Sequence, residues 1–185
     1  MEITGSLLVN TINTSTGSFV VTTDSTGTIT KSPYSAVTSN LFSVGDFYST
    51  QTQTLAAGVS GSVTYNNTGT SNGVTLNSSS QLTIANAGTY SITFSAQIKG
   101  DGGQDTVYIW LKKNGTNVAD TATKIVAKNN EEDVMTVEYI VVAAASDYYE
   151  IAWQNTTGDG DLAYYAASGN IPAIPSIITT VKQIR

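Results

Sequence analysis

The stretch Thr89-Tyr90-Ser91-Ile92-Thr93-Phe94-Ser95-Ala96-Gln97-Ile98 alternates polar and apolar residues without a break. On an extended chain Tyr90, Ile92, Phe94, Ala96 and Ile98 fall on one side, and Thr89, Ser91, Thr93, Ser95 and Gln97 on the other. That period of two fits a half-buried β-strand, whereas a helix would scatter the same apolar residues around its circumference. Working outward, further strand signals recur at regular spacing. Val107, Ile109 and Leu111 form one inward face, and Met135, Val137, Tyr139 and Val141 another. Tyr149, Ile151 and Trp153 form a third, and Ile177, Thr179 and Val181 close the chain. Turn residues stand between them. Lys113-Asn114-Gly115-Thr116 predicts a hairpin, because Asn-Gly tolerates the positive φ angles of a tight primed turn. Asn86-Ala87-Gly88, Asp101-Gly102-Gly103 and Gly158-Asp159-Gly160-Asp161 mark other reversals. Pro172 and Pro175 share a loop before the last strand, where they remove no ladder hydrogen bond. No segment shows a helical period. The expectation is an all-β sandwich over residues 46–185.

Residues 1–45 have a different texture. Their only charged residues are Glu2, Asp24 and Lys31. Leu7-Leu8-Val9, Ser18-Phe19-Val20-Val21-Thr22 and Thr28-Ile29-Thr30 read as short strands, with turns at Thr16-Gly17 and Ser25-Thr26-Gly27. Large apolar residues are too few here to offset an ordering cost of about 1–2 kcal/mol per residue. The segment is therefore expected to be a β-rich arm or stalk that pairs with copies of itself or with a larger assembly.

One strand is apolar on both faces. Tyr108 and Trp110 alternate with Val107, Ile109 and Leu111. In a two-sheet sandwich one face meets the core, so the other must meet something else. A neighbouring subunit is the simple candidate, and Tyr148, Tyr164 and Tyr165 raise the same question, since tyrosine is enriched at interfaces. These five residues are the expected subunit contacts.

Composition narrows the chemistry. The chain has 185 residues, no Cys and no His, and charged residues make up 12% of it. Without His there is no imidazole base or His metal ligand, and without Cys no thiol nucleophile, disulfide or ordinary zinc site. The net charge of −6 argues against nucleic-acid binding, which relies on neutralising phosphates. No apolar run reaches membrane-span length, and Met1-Glu2-Ile3-Thr4-Gly5 lacks the basic start and apolar core of a signal peptide. Synthesis in a cytoplasm without export is the expectation. Thr, Ser, Asn and Gly dominate, as in fibres and shells. The acids Asp101, Asp105, Glu131 to Asp133, Asp159 and Asp161 lie in loop-like stretches and read as solvated loop carboxylates. Asp101/Asp105 and Asp159/Asp161 are weak calcium candidates, because hard cations take loop carboxylates, but no full ligand loop is present.

Four pieces in order carry a family resemblance. They are Ala87-Gly88-Thr89-Tyr90-Ser91-Ile92-Thr93-Phe94, Val107 to Thr116, Ser146-Asp147-Tyr148-Tyr149-Glu150-Ile151, and the final strand from Ser176 to Val181. They resemble the jelly-roll head shared by complement globular heads and tumour-necrosis-factor ligands, and more closely the bacteriophage versions of that head. Val63-Thr64-Tyr65-Asn66-Asn67-Thr68-Gly69 and the loop from Ala167 to Ser176 are similar to segments in virion proteins of tailed phages of aquatic bacteria. The resemblance implies a homotrimer with aromatic faces around a three-fold axis. The N-terminal 45 residues would replace a collagen-like stalk and resemble β-rich shaft segments of phage fibres.

The functional expectation is a non-enzymatic virion structural protein. It would be a trimeric capsid decoration or head fibre, with a jelly-roll knob on the particle exterior and the arm held by another virion protein such as the major capsid protein. The alternative is a receptor-binding tip of a tail fibre that recognises host surface glycan. Loops near Trp153-Gln154-Asn155 and Tyr164-Tyr165 would then supply the aromatics and amides.

Overall fold

The computed structural model describes residues 19–23, 26, 29–33 and 42–185. The chain divides into two units, Met1–Leu41 and Phe42–Arg185. In the first, β1 (Phe19–Thr23) pairs antiparallel with β2 (Ile29–Pro33). Exposed Thr26 sits in the turn between them. These are two of the strands expected for the arm; the third, at Leu7-Leu8-Val9, lies outside the described residues.

The second unit is built from thirteen strands and, among the described residues, has no helix. In chain order they are β3 (Val44–Ser49), β4 (Ser60–Ser62), β5 (Asn67–Asn72), β6 (Val74–Asn77) and β7 (Gln81–Ile84). Next come β8 (Gly88–Gly100), β9 (Asp105–Lys113), β10 (Thr116–Asn117) and β11 (Thr123–Ala127). The last are β12 (Glu132–Ala143), β13 (Tyr148–Asn155), β14 (Gly160–Leu162) and β15 (Ile177–Gln183). One antiparallel sheet has the order β12-β8-β15-β3-β5, with β14 added to β8. The other has the order β10-β9-β13-β7-β6, with β11 on β9 and β4 on β13. The two strands that begin and end the unit, β3 and β15, are neighbours. Chain-distant strands thus fill the middle of each sheet, as a jelly roll requires.

The alternation read in the sequence sets which residues lie between the sheets. Tyr90, Ile92, Phe94, Ala96 and Ile98 of β8 are buried in one cluster with Val107, Ile109 and Leu111 of β9 and with Tyr149, Ile151 and Trp153 of β13. Met135 and Tyr139 of β12 and Ile177 and Val181 of β15 complete it. Each such side chain contributes about 1.5–3 kcal/mol by leaving water, and this term orders the sheets. The Asn114-Gly115 hairpin between β9 and β10 has φ of 50° and 79°, the left-handed pair that the dipeptide was expected to supply.

Val63 and Tyr65 are also in the core, although they sit in an Asn/Thr-rich stretch without clear alternation. The Tyr65 hydroxyl meets Thr179 Oγ1 at 2.8 Å in the interior. Burial pushes the Tyr65 phenol well above its usual range, so it remains protonated and able to donate. Tyr65→Phe should therefore leave Thr179 without its partner and cost about 1–3 kcal/mol. Equilibrium urea unfolding would read it as a shift of midpoint with no change of slope.

Candidate functional site

Tyr108 and Trp110 point away from the core because β9 alternates, and Val107, Ile109 and Leu111 take the inner side. The register places small neighbours beside the indole. Trp110 lies opposite Ala152 of β13, and Ala152 opposite Ser62 of β4. Tyr108 lies opposite Gln154, and Gln154 opposite Ser60. The aromatic pair is therefore flanked by low side chains, and a concavity of about 560 Å³ opens along it. Tyr108, Trp110, Asn117, Asp120, Gln154 and Thr156 line it. A second concavity of about 280 Å³ shares Trp110 and Asn117 and runs past Ser60, Ser62 and Lys112.

The groove is held from several directions. The indole N–H of Trp110 donates to Asn117 Oδ1 at 2.8 Å. The wall between β10 and β11 is pinned by Val118 N–H to the Leu111 carbonyl, by Leu111 N–H to Thr121 Oγ1, and by the Thr121 hydroxyl to the Val118 carbonyl. From the core, the Tyr139 hydroxyl donates to the Thr121 carbonyl at 2.9 Å, and burial pushes that phenol up to about 12. Asp120 at the rim has φ of 61°, a left-handed conformation that Asp adopts more readily than most residues.

Thr156 belongs to a loop organised by Asp105. The Asp105 side chain is 1% exposed. Its Oδ1 accepts from the N–H groups of Thr106, Thr156 and Thr157 and from the Thr156 hydroxyl, at 2.6–3.0 Å. Its Oδ2 accepts from the N–H groups of Gly158, Asp159 and Gly160 at 2.9–3.1 Å. Burial alone would raise this carboxyl, but the donors from Thr156 and Thr157 outweigh it and hold the group well below the usual carboxylate range. The ring of backbone donors needs a loop that curls tightly. Gly158 supplies φ of 92°, and a Cβ on Gly160 would lie 2.6 Å from Val107 Cγ2.

The four acids considered for calcium are thus separated by role. Asp105 spends both oxygens on donors within the chain. Asp101, Asp159 and Asp161 gather where β8 meets β14: Asp101 N–H donates to the Asp159 carbonyl, Asp161 lies opposite Lys99 in the β14–β8 ladder, and Lys99 Nζ stands 3.7 Å from Asp101. Desolvation, and then the charge of Asp101, push the Asp161 carboxyl up. Among the described residues no group of three or more acids, Cys or His could hold a metal ion.

The five residues expected at a subunit contact do not form one patch. Tyr108 and Trp110 share the groove. Tyr148 begins β13, at the end of that strand away from Ala152 and Gln154, where its N–H donates to Asn114 Oδ1. Tyr164 and Tyr165 lie in the β14–β15 loop. Tyr164 N–H donates to Thr52 Oγ1, and the Tyr165 hydroxyl donates to Glu132 at 2.6 Å at the start of β12. Of the residues expected to serve a glycan, Trp153 is 1% exposed and Asn155 is fully buried, so only Gln154 of that trio faces outward. The apolar residues that reading the sequence missed are on β12. Met135 and Tyr139 face the core, while Val134, Ile140 and Val142 on the opposite side are 56%, 59% and 74% exposed. Their alternation with the inward set was visible, but nothing in the sequence said which side would be left uncovered.

These features define a two-sheet jelly-roll sandwich with an outward aromatic groove on one sheet and, on the other, an edge strand with Val134, Ile140 and Val142 exposed. No family model and no curated relative matches the sequence. Among solved structures, the chain is similar to the Eiger TNF of S. frugiperda, with 10% identity and a TM-score of 0.53 over 78% of this chain and 93% of that one. It is also similar to the globular domain of the zebrafish complement 1qA protein, with 15% identity and a TM-score of 0.49 over 77% of this chain and 97% of that one. The likeness to the Eiger TNF is one of fold, and it agrees with the all-β jelly-roll class read from the sequence.

Proposed function

We propose that this chain is a non-enzymatic structural protein whose jelly-roll knob assembles with two further copies of itself, and that it decorates the exterior of a phage particle as a capsid decoration or head fibre. The observation that carries the assembly is the outward side of the β12-β8-β15-β3 sheet. Ser91, Thr93 and Ser95 give its centre small side chains, with Glu138 of β12 accepting from the Ser91 hydroxyl there, and Ile140, Val142 and Ile178 stand exposed beside them. β12 is also the edge of its sheet and twelve residues long. Long edge strands with exposed apolar side chains are a liability unless something covers them. A second copy is the cover that requires no other partner, and closed symmetry is the usual outcome of such contacts. The residue content supports a non-catalytic role, since His and Cys are both missing and the buried Asp105, which holds Thr156 of the groove, is engaged by backbone donors.

Ile140→Asp should place a charge in the contact without touching the core, because Ile140 faces away from Tyr139. Its mass by light scattering should fall to that of one 19.4 kDa chain while it still unfolds cooperatively in urea, with a midpoint that no longer depends on protein concentration. An unchanged larger mass would move the contact elsewhere. Location on a particle is tested by antibody labelling of intact virions. Label over heads supports decoration, and label confined to tail-fibre tips supports the receptor-binding alternative.

A further inference from the structure

We propose that the Tyr108–Trp110 groove on the β9 sheet is a binding site for a neutral pyranose saccharide. Tyr108 and Trp110, two of the five residues expected to contact a neighbouring subunit, are then walls of a ligand site. Three features of the groove select this ligand class.

The first is the aromatic pair. A pyranose ring presents a face of C–H groups, which packs against the electron-rich face of an indole or phenol. Ala152, Ser60 and Ser62 beside Tyr108 and Trp110 keep that approach open. The second is the set of uncommitted polar groups. The Tyr108 hydroxyl, the Asn117 amide nitrogen, the Asp120 carboxylate and the Gln154 amide line the groove, and none has a hydrogen-bond partner among the described residues. Together they offer donors and acceptors on planar groups, which match vicinal hydroxyls. The third is preorganisation. Trp110 is tied to Asn117, the wall is pinned to Leu111 and Tyr139, and Thr156 is held by Asp105. With the indole, the wall and Thr156 already fixed, binding has fewer groups to order.

Charge and size narrow the class. Asp120 is the charged residue lining the larger concavity, in a chain of net charge −6, so an anionic sugar is disfavoured. A volume of about 560 Å³ lies within the range of ligand pockets, roughly 300–1,000 Å³. The second concavity continues the groove past Trp110 toward Lys112, so the path suits more than one linked residue.

The site stands independently of the assembly face. Ile140 lies on the other sheet, so Ile140→Asp should leave sugar binding in place, and a groove variant should leave the mass in place. The test uses the full-length protein labelled with 5-fluorotryptophan. Its two tryptophans give two fluorine resonances, and the buried Trp153 serves as the internal reference. The probes are glucose, galactose, mannose and N-acetylglucosamine, with the β-1,4-linked tetramers of glucose and N-acetylglucosamine, each to about 50 mM to reach weak affinities. The expected result is a saturable shift of the Trp110 resonance with at least one probe, while Trp153 stays fixed. Gln154→Ala and Tyr108→Ala should each weaken it about tenfold. Tighter binding of a tetramer than of its monomer identifies a surface glycan as the source, and equal binding a free sugar; both support the site. No saturable shift with any probe overturns it. So does a Trp110 resonance that moves with protein concentration in the absence of sugar, because the groove would then be closed by another copy.

Discussion

Asp105→Asn is expected to lower the unfolding free energy by about 3–5 kcal/mol and the Tm by roughly 6–20 °C. The substitution keeps the shape and removes the charge. It also turns one acceptor oxygen into a donor that must face N–H groups of its own kind, either those of Thr106, Thr156 and Thr157 or those of Gly158, Asp159 and Gly160. Hydrogen bonds to an ionised acceptor are the strong ones, and orphaned buried donors bear the full cost of desolvation. Circular dichroism melts of parent and variant measure the effect. A loss below about 1 kcal/mol, the size of one ordinary hydrogen bond, would mean that the cage contributes no more than a single contact.

The same carboxylate fixes a pH dependence. Asp105 is held below its ordinary value, so its stabilisation is fully present above the unfolded carboxylate range near pH 4 and is lost as pH falls toward its folded value. Asp147 behaves alike: Lys113 first, then Asn114 and the Ala144 N–H, hold it at about 2. Lys113 Nζ stands 2.7 Å from Asp147, a clamp between the β9–β10 hairpin and the turn before β13. Stability should therefore decline between about pH 4 and pH 2. The decline should be shallower in Asp105→Asn, which has already lost the larger contribution.

Trp153→Ala is expected to cost about 3–5 kcal/mol, and Trp110→Ala less than about 1 kcal/mol. Trp153 is the largest fully buried side chain, on the inner face of β13 opposite Ile109. Trp110 is on the outer face of the adjacent strand, opposite Ala152. Because side chains alternate across a sheet, a one-residue slip of either strand would exchange inside for outside. The pair of substitutions therefore reads the register of the two central strands by urea midpoints alone, and equal costs would contradict it.

The core and the hairpin were legible because both rest on local rules. Alternation from Tyr90 to Ile98 needs only a period of two, and Asn114-Gly115 needs only positive φ at successive positions. Val63 and Tyr65 escaped because a short run between Asn and Thr residues carries no period. The Asp105 cage was invisible for a stronger reason. Its donors are mostly backbone N–H groups 51–55 residues further along the chain, and backbone groups leave no trace in residue identity. The outward aromatics were found one by one but could not be grouped. Which of Tyr108, Trp110, Tyr148, Tyr164 and Tyr165 are neighbours depends on strand order, and strand order is set by long-range pairing. Likewise the exposed side of β12 follows from its place at the sheet edge, which topology decides.

The proposed closure of the β12 side against two further copies is read from the solution mass of the full-length protein, by light scattering on a sizing column. The expected result is three times the 19.4 kDa of one chain, about 58 kDa, sustained on dilution. A mass of one chain that persists at high concentration would contradict it and leave Val134, Ile140 and Val142 exposed to water.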